Sequence, residues 1–195
     1  MKFSIVTGLV IIVAAIAGYL VQQQYSLTLE DQAAIQAISS DRVEFVLPHL
    51  DGSERRLSDW DGEARIVNFW ATWCAPCRRE IPILKQLQTD KPEKQLQVIG
   101  IAVDFMDDVR AYAEEARFNY PILVGQEEAI AVADVSGVEF IGLPFTMIIA
   151  VDGTLVATHM GEIMQPHVDR ISEVMRDLAS GALDLETARS ELQKL

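Results

Sequence analysis

The chain has 195 residues, half of them apolar, enough for a proper core without disulfide staples. Its 16 basic and 29 acidic residues give a net charge of −13, which argues against nucleic-acid binding. The acidic residues are spread along the chain as a solvated surface rather than gathered in a run. One globular domain with extensions fits this length.

The N-terminal stretch IVTGLVIIVAAIAGYLV, Ile5 to Val21, carries no charge. As a helix it would span roughly 26 Å, close to the hydrocarbon thickness of a bilayer. Lys2 and the terminal amine precede it, and the next basic residue is Arg42, beyond Glu30 and Asp31. Residues 1–21 therefore read as a transmembrane anchor with a cytoplasmic N-terminus and an exported domain. The competing reading is a signal peptide cleaved after Ala15–Ala17, although the apolar run continues through Tyr19, Leu20 and Val21. Residues 22–41 are polar and Gln/Ser-rich, a linker.

From residue 42 the pattern changes. VEFVLPHLDGSERRLSDW alternates and breaks at Asp51-Gly52, the signal of a β-hairpin, with a short turn or helix at Leu57 to Trp60. ARIVNFWA reads as a buried strand, and Ile81, Leu84 and Leu87 carry a helical spacing from Cys74 onward, with Pro82 expected to kink that helix. LQVIGIAVD is a second buried strand. DDVRAYAEEARF follows as a helix, YPILVG as a short strand and EEAIAVADV as a short helix. FTMIIAV and TLVATHM form two strands around an Asp-Gly turn. PHVDRISEVMRDLASG is a helix with Pro166 at its start and Gly181 as its stop. Residues 42–180 form one α/β domain with a mixed sheet flanked by helices, and 181–195 a further surface helix as a tail.

Both cysteines of the chain, Cys74 and Cys77, sit where the first buried strand passes into a helix. A sulfur at a helix N-terminus meets unpaired N–H groups and the positive end of the dipole, which favour a thiolate. Cys77, one turn in, is placed to resolve a mixed disulfide. A zinc site would need two more ligands, and His49, His159 and His167 are scattered without ligand spacing; all three read as surface or packing residues. A structural disulfide closing so short a loop would restrict the unfolded chain little. Arg78, four residues after Cys74, is either a partner for its thiolate or a surface arginine.

FWATWCAPCRREIP, followed about 70 residues later by GLPFT, resembles the thioredoxin-like proteins of the TlpA/ResA type. The resemblance spans Val43 to Ala179. It implies a thioredoxin-like fold anchored in the plasma or inner membrane with its domain periplasmic or extracellular. It also implies thiol–disulfide exchange with Cys74 attacking, Cys77 resolving and Glu80 as the acidic residue near the dithiol. Pro144 matches the cis-proline beside the disulfide, which leaves the Leu143 backbone free to pair with a substrate strand. Substrate contacts are implied at Trp73, Ala75, Pro76, Leu143, Pro144 and Phe145, with Trp70 as a further apolar neighbour. Two departures stand out: Asn68 occupies the place of thioredoxin's buried aspartate, leaving Glu80 as the proton acceptor, and Phe145 replaces a small hydroxyl residue beside the groove.

The function expected is reduction of disulfides in exported proteins such as apocytochromes, with electrons from a membrane thiol transporter and no cofactor or metal beyond the Cys74–Cys77 pair. The alternatives are a thiol oxidase or isomerase of the same fold, or a copper-binding assembly chaperone, for which His159 is the one remote third ligand. A peroxidase is disfavoured, because no Pro-x-x-x-Thr-x-x-Cys pattern occurs.

Overall fold

The computed structural model of the chain describes residues 42–90, 96–134, 137 and 140–195. The expected membrane span at 1–21 and linker at 22–41 lie outside these. Among the described residues no helix is long and apolar enough to cross a membrane.

The centre of the domain is β3 (Ala64–Trp70), in which every residue is buried. It pairs in parallel with β4 (Leu96–Val103), which pairs in parallel with β5 (Ile122–Gly125). On its other side it pairs antiparallel with β6 (Phe145–Ile149), and β6 with the edge strand β7 (Leu155–Met160). The sheet order is β5-β4-β3-β6-β7. Continuous apolar runs in β3 and β4 follow from this position, since a strand covered on both faces needs no polar side. The β6–β7 turn uses Gly153 at φ +92°, a conformation that suits glycine.

Strand alternation divides the core. Ile66 and Trp70 face one side, packed with α1 (Ala75–Asp90), α2 (Met106–Ala116) and α4 (Gln165–Ser180). Val67 and Phe69 face the other, against α3 (Glu127–Asp134) and the short antiparallel pair β1 (Val46–Pro48) and β2 (Glu54–Arg56), which leads into a 3-10 turn at Leu57–Trp60. Helix α1 continues through Pro82 to Asp90, although proline forfeits one backbone hydrogen bond. The C-terminal segment departs from expectation. Helix α5 (Leu185–Leu192), capped by the Asp184 carboxylate on the Thr187 N–H, is no surface tail, because Ala188 and Leu192 are buried in the main core. Their spacing with Leu185 makes one apolar stripe on a short helix.

Across the sheet, Gly100, Asn68, Thr146 and His159 lie in register on β4, β3, β6 and β7. This row runs on the α1 side, and its first member makes room for its neighbours. A Cβ on Gly100 would stand 2.7 Å from Ile122 Cδ1 and 3.1 Å from Trp70 Nε1. Gly100→Ala should therefore cost about 1–3 kcal/mol by overpacking, measured by denaturant unfolding. A neutral result would mean that the Trp70 and Ile122 side chains shift freely.

Candidate functional site

Cys74 is the last residue before α1, at the carboxyl end of β3, and it is joined to Cys77 by a disulfide with the Cα atoms 5.3 Å apart. The Cys77 N–H donates to Cys74 Sγ at 3.3 Å, so the first turn of the helix already directs a donor at that sulfur. Cys77 is fully buried and Cys74 nearly so. The loop ahead of them is pinned by a residue that sequence reasoning missed. The Asp104 carboxylate, buried at the end of β4, accepts from the Thr72 N–H at 3.0 Å and the Thr72 hydroxyl at 2.6 Å, and from the Phe105 N–H at 2.9 Å. An aspartate directly after a buried strand was the available signal.

Glu80 follows Cys77 by three residues on the buried face of α1 and has no exposed surface. The Asn68 amide donates to its Oε1 at 2.9 Å, and the Ile163 backbone N–H donates to its Oε2 at 2.6 Å. Burial pushes the carboxyl up to about 7 against the pull of these two donors, with a further push from the Glu162 carboxylate. Asn68 also donates to Thr146 Oγ1 at 3.2 Å, and its Oδ1 has no partner among the described residues. A neutral amide suits such a neighbour in both states: its NH2 serves the ionised carboxylate, and after a half-turn its oxygen would accept from the protonated acid. An aspartate there would add a second buried charge.

The other expected site residues divide. The Leu143–Pro144 bond is cis, Pro144 is buried, and the Pro144 carbonyl accepts from the Gly161 N–H at 2.9 Å. Among the described residues the Leu143 backbone has no hydrogen-bond partner. Ala75 is exposed, Pro76 is half-buried and Trp73 is 71% exposed. Phe145 corrects an expectation. It has no exposed surface and packs against Phe69 and Phe140, with ring centroids 5.5 and 6.0 Å away, on the face of the sheet opposite Thr146 and Glu80. Strand parity sends it into the core rather than to a substrate groove. Trp70, also fully buried, lies on the other face of the sheet, in the same apolar cluster as Cys74 and Cys77. Arg78 lies over the Tyr112 ring, 6.0 Å from its centroid. Its neighbour Arg79 pairs with Glu162.

The histidines are less scattered than the sequence suggests, since the His159 and His167 rings lie 4.7 Å apart. Among the described residues no group of three or more His, Cys, Asp and Glu is placed to hold a metal.

Three more exposed side chains share the edge of the sheet that carries the dithiol. Phe105 follows β4 as Trp73 follows the parallel β3, Ile141 precedes the antiparallel β6, and Met160 ends β7. Phe105 is 61% exposed and Ile141 75%. Beside a reactive disulfide this apolar rim, completed by Trp73, suits contact with a polypeptide rather than a small polar molecule.

The raised midpoint of Glu80 has a consequence for stability. Between pH 4.5 and about 7 the folded chain holds a proton that the unfolded chain has lost, so wild-type stability falls as pH rises through this window. In the oxidised protein, Glu80→Gln should gain on the wild type across this range, levelling at about 3 kcal/mol in the variant's favour. Urea unfolding at stepped pH checks this, and a difference independent of pH would place the carboxyl at its ordinary midpoint.

Comparison with known proteins agrees with the geometry. The sequence model of the AhpC/TSA family matches residues 38–158. The chain is similar to the thiol-disulfide oxidoreductase ResA of Geobacillus kaustophilus, 28% identical with 87% of this chain and 94% of that protein covered. It is also similar to the thioredoxin-like protein YneN of Bacillus subtilis, 29% identical with 83% and 92% covered. Among solved structures, a thioredoxin-family thiol:disulfide interchange protein from Chlorobium tepidum TLS superposes with a TM-score of 0.62 at 28% identity, covering 69% of this chain and 94% of that one. With its thioredoxin-like sheet and its Cys74–Cys77 pair ahead of a cis-proline, the chain belongs to the AhpC/TSA family, as a thiol–disulfide oxidoreductase of the TlpA/ResA-like kind.

Proposed function

We propose that this oxidoreductase works as a reductase of disulfides in exported proteins, apocytochromes among them. The observation that carries the reading is the buried Glu80 carboxyl one helical turn from Cys77. In the forward step the Cys74 thiolate attacks one sulfur of a substrate disulfide and the other sulfur leaves with the electron pair. Cys77 then gives its proton to Glu80 and attacks Cys74 Sγ. The second substrate thiol is released, and the domain holds the disulfide seen here. Two electrons pass to the substrate, and a membrane thiol transporter returns them.

Glu80 serves this direction in two ways. While ionised it repels a growing thiolate and holds the pair as thiols, which strengthens reducing power. Once it takes the Cys77 proton it is neutral, and the resolving thiolate forms beside an uncharged acid. A carboxyl near 7 is suited to both roles at neutral pH. Substrate docks on the apolar rim, with Trp73, Ala75 and Pro76 on one side of the sulfurs, and Leu143 and Pro144 on the other. The Leu143 backbone offers a free edge to an extended strand. The Ile5–Val21 segment tethers the domain outside the cytoplasm, with its N-terminus inside.

Equilibration with glutathione tests the direction. A reductase should sit below about −200 mV, and Glu80→Gln should raise the potential by about 30 mV, equivalent to roughly 1.4 kcal/mol, while lowering the thiol midpoint. A wild-type value near about −120 mV would make it an oxidase instead. The substrates themselves should appear as mixed disulfides on Cys74 in cells expressing Cys77→Ser.

A further inference from the structure

Helices α1 and α2 follow the parallel strands β3 and β4, so both start at the dithiol edge of the sheet and run back along one face. Between them lies a groove of about 420 Å³, lined by Arg78, Pro82, Lys85 and Thr89 on one side and Tyr112 and Asn119 on the other. Trp73 and Phe105, both exposed, stand just ahead of the two helices, so the groove continues the apolar rim around the sulfurs.

The chain carries a net charge of −13, yet no carboxylate lines this groove. Elsewhere cations are paired: Arg42 and Arg65 with Asp61, Arg79 with Glu162, Arg110 with Asp107, and Arg170 with Glu173 and Glu191. Among the described residues neither Arg78 nor Lys85 has an ion pair. Asp108 and Glu115 share the Tyr112 face of α2 by spacing, and neither pairs with them. Both cations are nevertheless held in place. The Arg78 guanidinium lies 6.0 Å from the Tyr112 centroid, and among the described residues no hydrogen bond occupies its N–H groups. The Lys85 ammonium donates to the Ala116 carbonyl at 2.6 Å, which leaves N–H groups over for another acceptor. Cations fixed in this way lose little side-chain freedom when an anion arrives.

We propose that this groove docks an acidic, extended segment of the substrate polypeptide, next to the cysteine that joins Cys74, so that disulfides flanked by carboxylates react preferentially. The inference rests on substrate docking at the rim, and not on the direction of electron flow or on Glu80. Arg78 follows Cys74 by four residues and Lys85 follows Arg78 by seven. Along a helix these steps are about 6 and about 10 Å. An extended chain advances about 3.3 Å per residue, so carboxylates roughly two and five residues from the bound cysteine meet the two cations. Ion pairs at a surface add little affinity apiece and act chiefly on encounter, so the preference belongs in the rate.

The test uses the reduced full chain in detergent and synthetic peptides with a single cysteine capped as its thionitrobenzoate mixed disulfide. The Cys74 thiolate attacks the peptide sulfur, and the coloured thionitrobenzoate leaves with the electron pair; Cys77 then releases the peptide as a thiol. The peptides differ only in carrying Asp, Asn or Lys at the second and fifth positions on both sides of the cysteine. Each rate is divided by that with dithiothreitol, which removes the peptide's own reactivity. The wild type should favour the Asp peptide over the Asn peptide by about fivefold at low salt, and less as salt screens the pairs. Arg78→Gln and Lys85→Gln should each reduce that ratio to about twofold, and the double variant to about one. Since the ratio compares two peptides on one protein, any change in the reactivity of Cys74 cancels. A wild-type ratio of one, a preference for the Lys peptide, or a ratio unchanged in the double variant overturns the proposal. Should the double variant not fold, an unchanged ratio in either single variant overturns it. The reductase reading falls on the redox potential instead, so either can fail alone.

Discussion

A carboxyl group shut away from water either finds donors in the protein or keeps its proton, and Glu80 is balanced between the two. Two donors reach it, Asn68 from the middle of the sheet and Ile163 from the segment before α4. Neither alone would offset the loss of hydration for a buried anion. Burial lifts the midpoint to about 7, and the two donors keep it from rising further. Two in-register residues serve the same balance: Gly100 gives Trp70 room, and the Asn68 amide meets both states of the acid.

The reactive sulfurs are placed by a separate set of contacts. Asp104 fixes the loop that ends in Cys74, and the helix turn gives that sulfur the Cys77 N–H. The segment 161–164 ties the cis-proline, Glu80 and His167 into one frame across α1, β6 and α4. Glu80 belongs to both sets, whereas Asp104 and the first turn of α1 place Cys74 without it, so Glu80→Gln changes the charge beside the pair while leaving those contacts in place.

Much of this was legible in the chain. Two apolar β-rich runs announced β3 and β4, and Cys-x-x-Cys at a strand-to-helix passage announced the dithiol. The Gly-Leu-Pro run carried Pro144, and the three-residue step from Cys77 put Glu80 on the right helix face. What stayed hidden depends on pairing between distant strands. Asn68 is recognisable as a departure in sequence, but its contact with Glu80 and Thr146 exists only once β3, β6 and α1 are assembled. His159 and His167 look unrelated until β7 and α4 meet. Phe145 misled because a position next to a site residue in sequence points away from it in a strand. The last helix looks like a surface element in sequence because its apolar stripe is only three residues long.

The central claim is that Glu80 takes the proton of Cys77 as the mixed disulfide resolves. Stopped-flow resolution of a preformed Cys74 mixed disulfide, followed against pH, addresses it most directly. The wild type should gain rate through a transition near the Glu80 midpoint of about 7. In Glu80→Gln that transition should vanish, leaving only the ionisation of the thiol itself, at or above the ordinary value of about 8.5. Superimposable profiles for the two proteins would contradict the account.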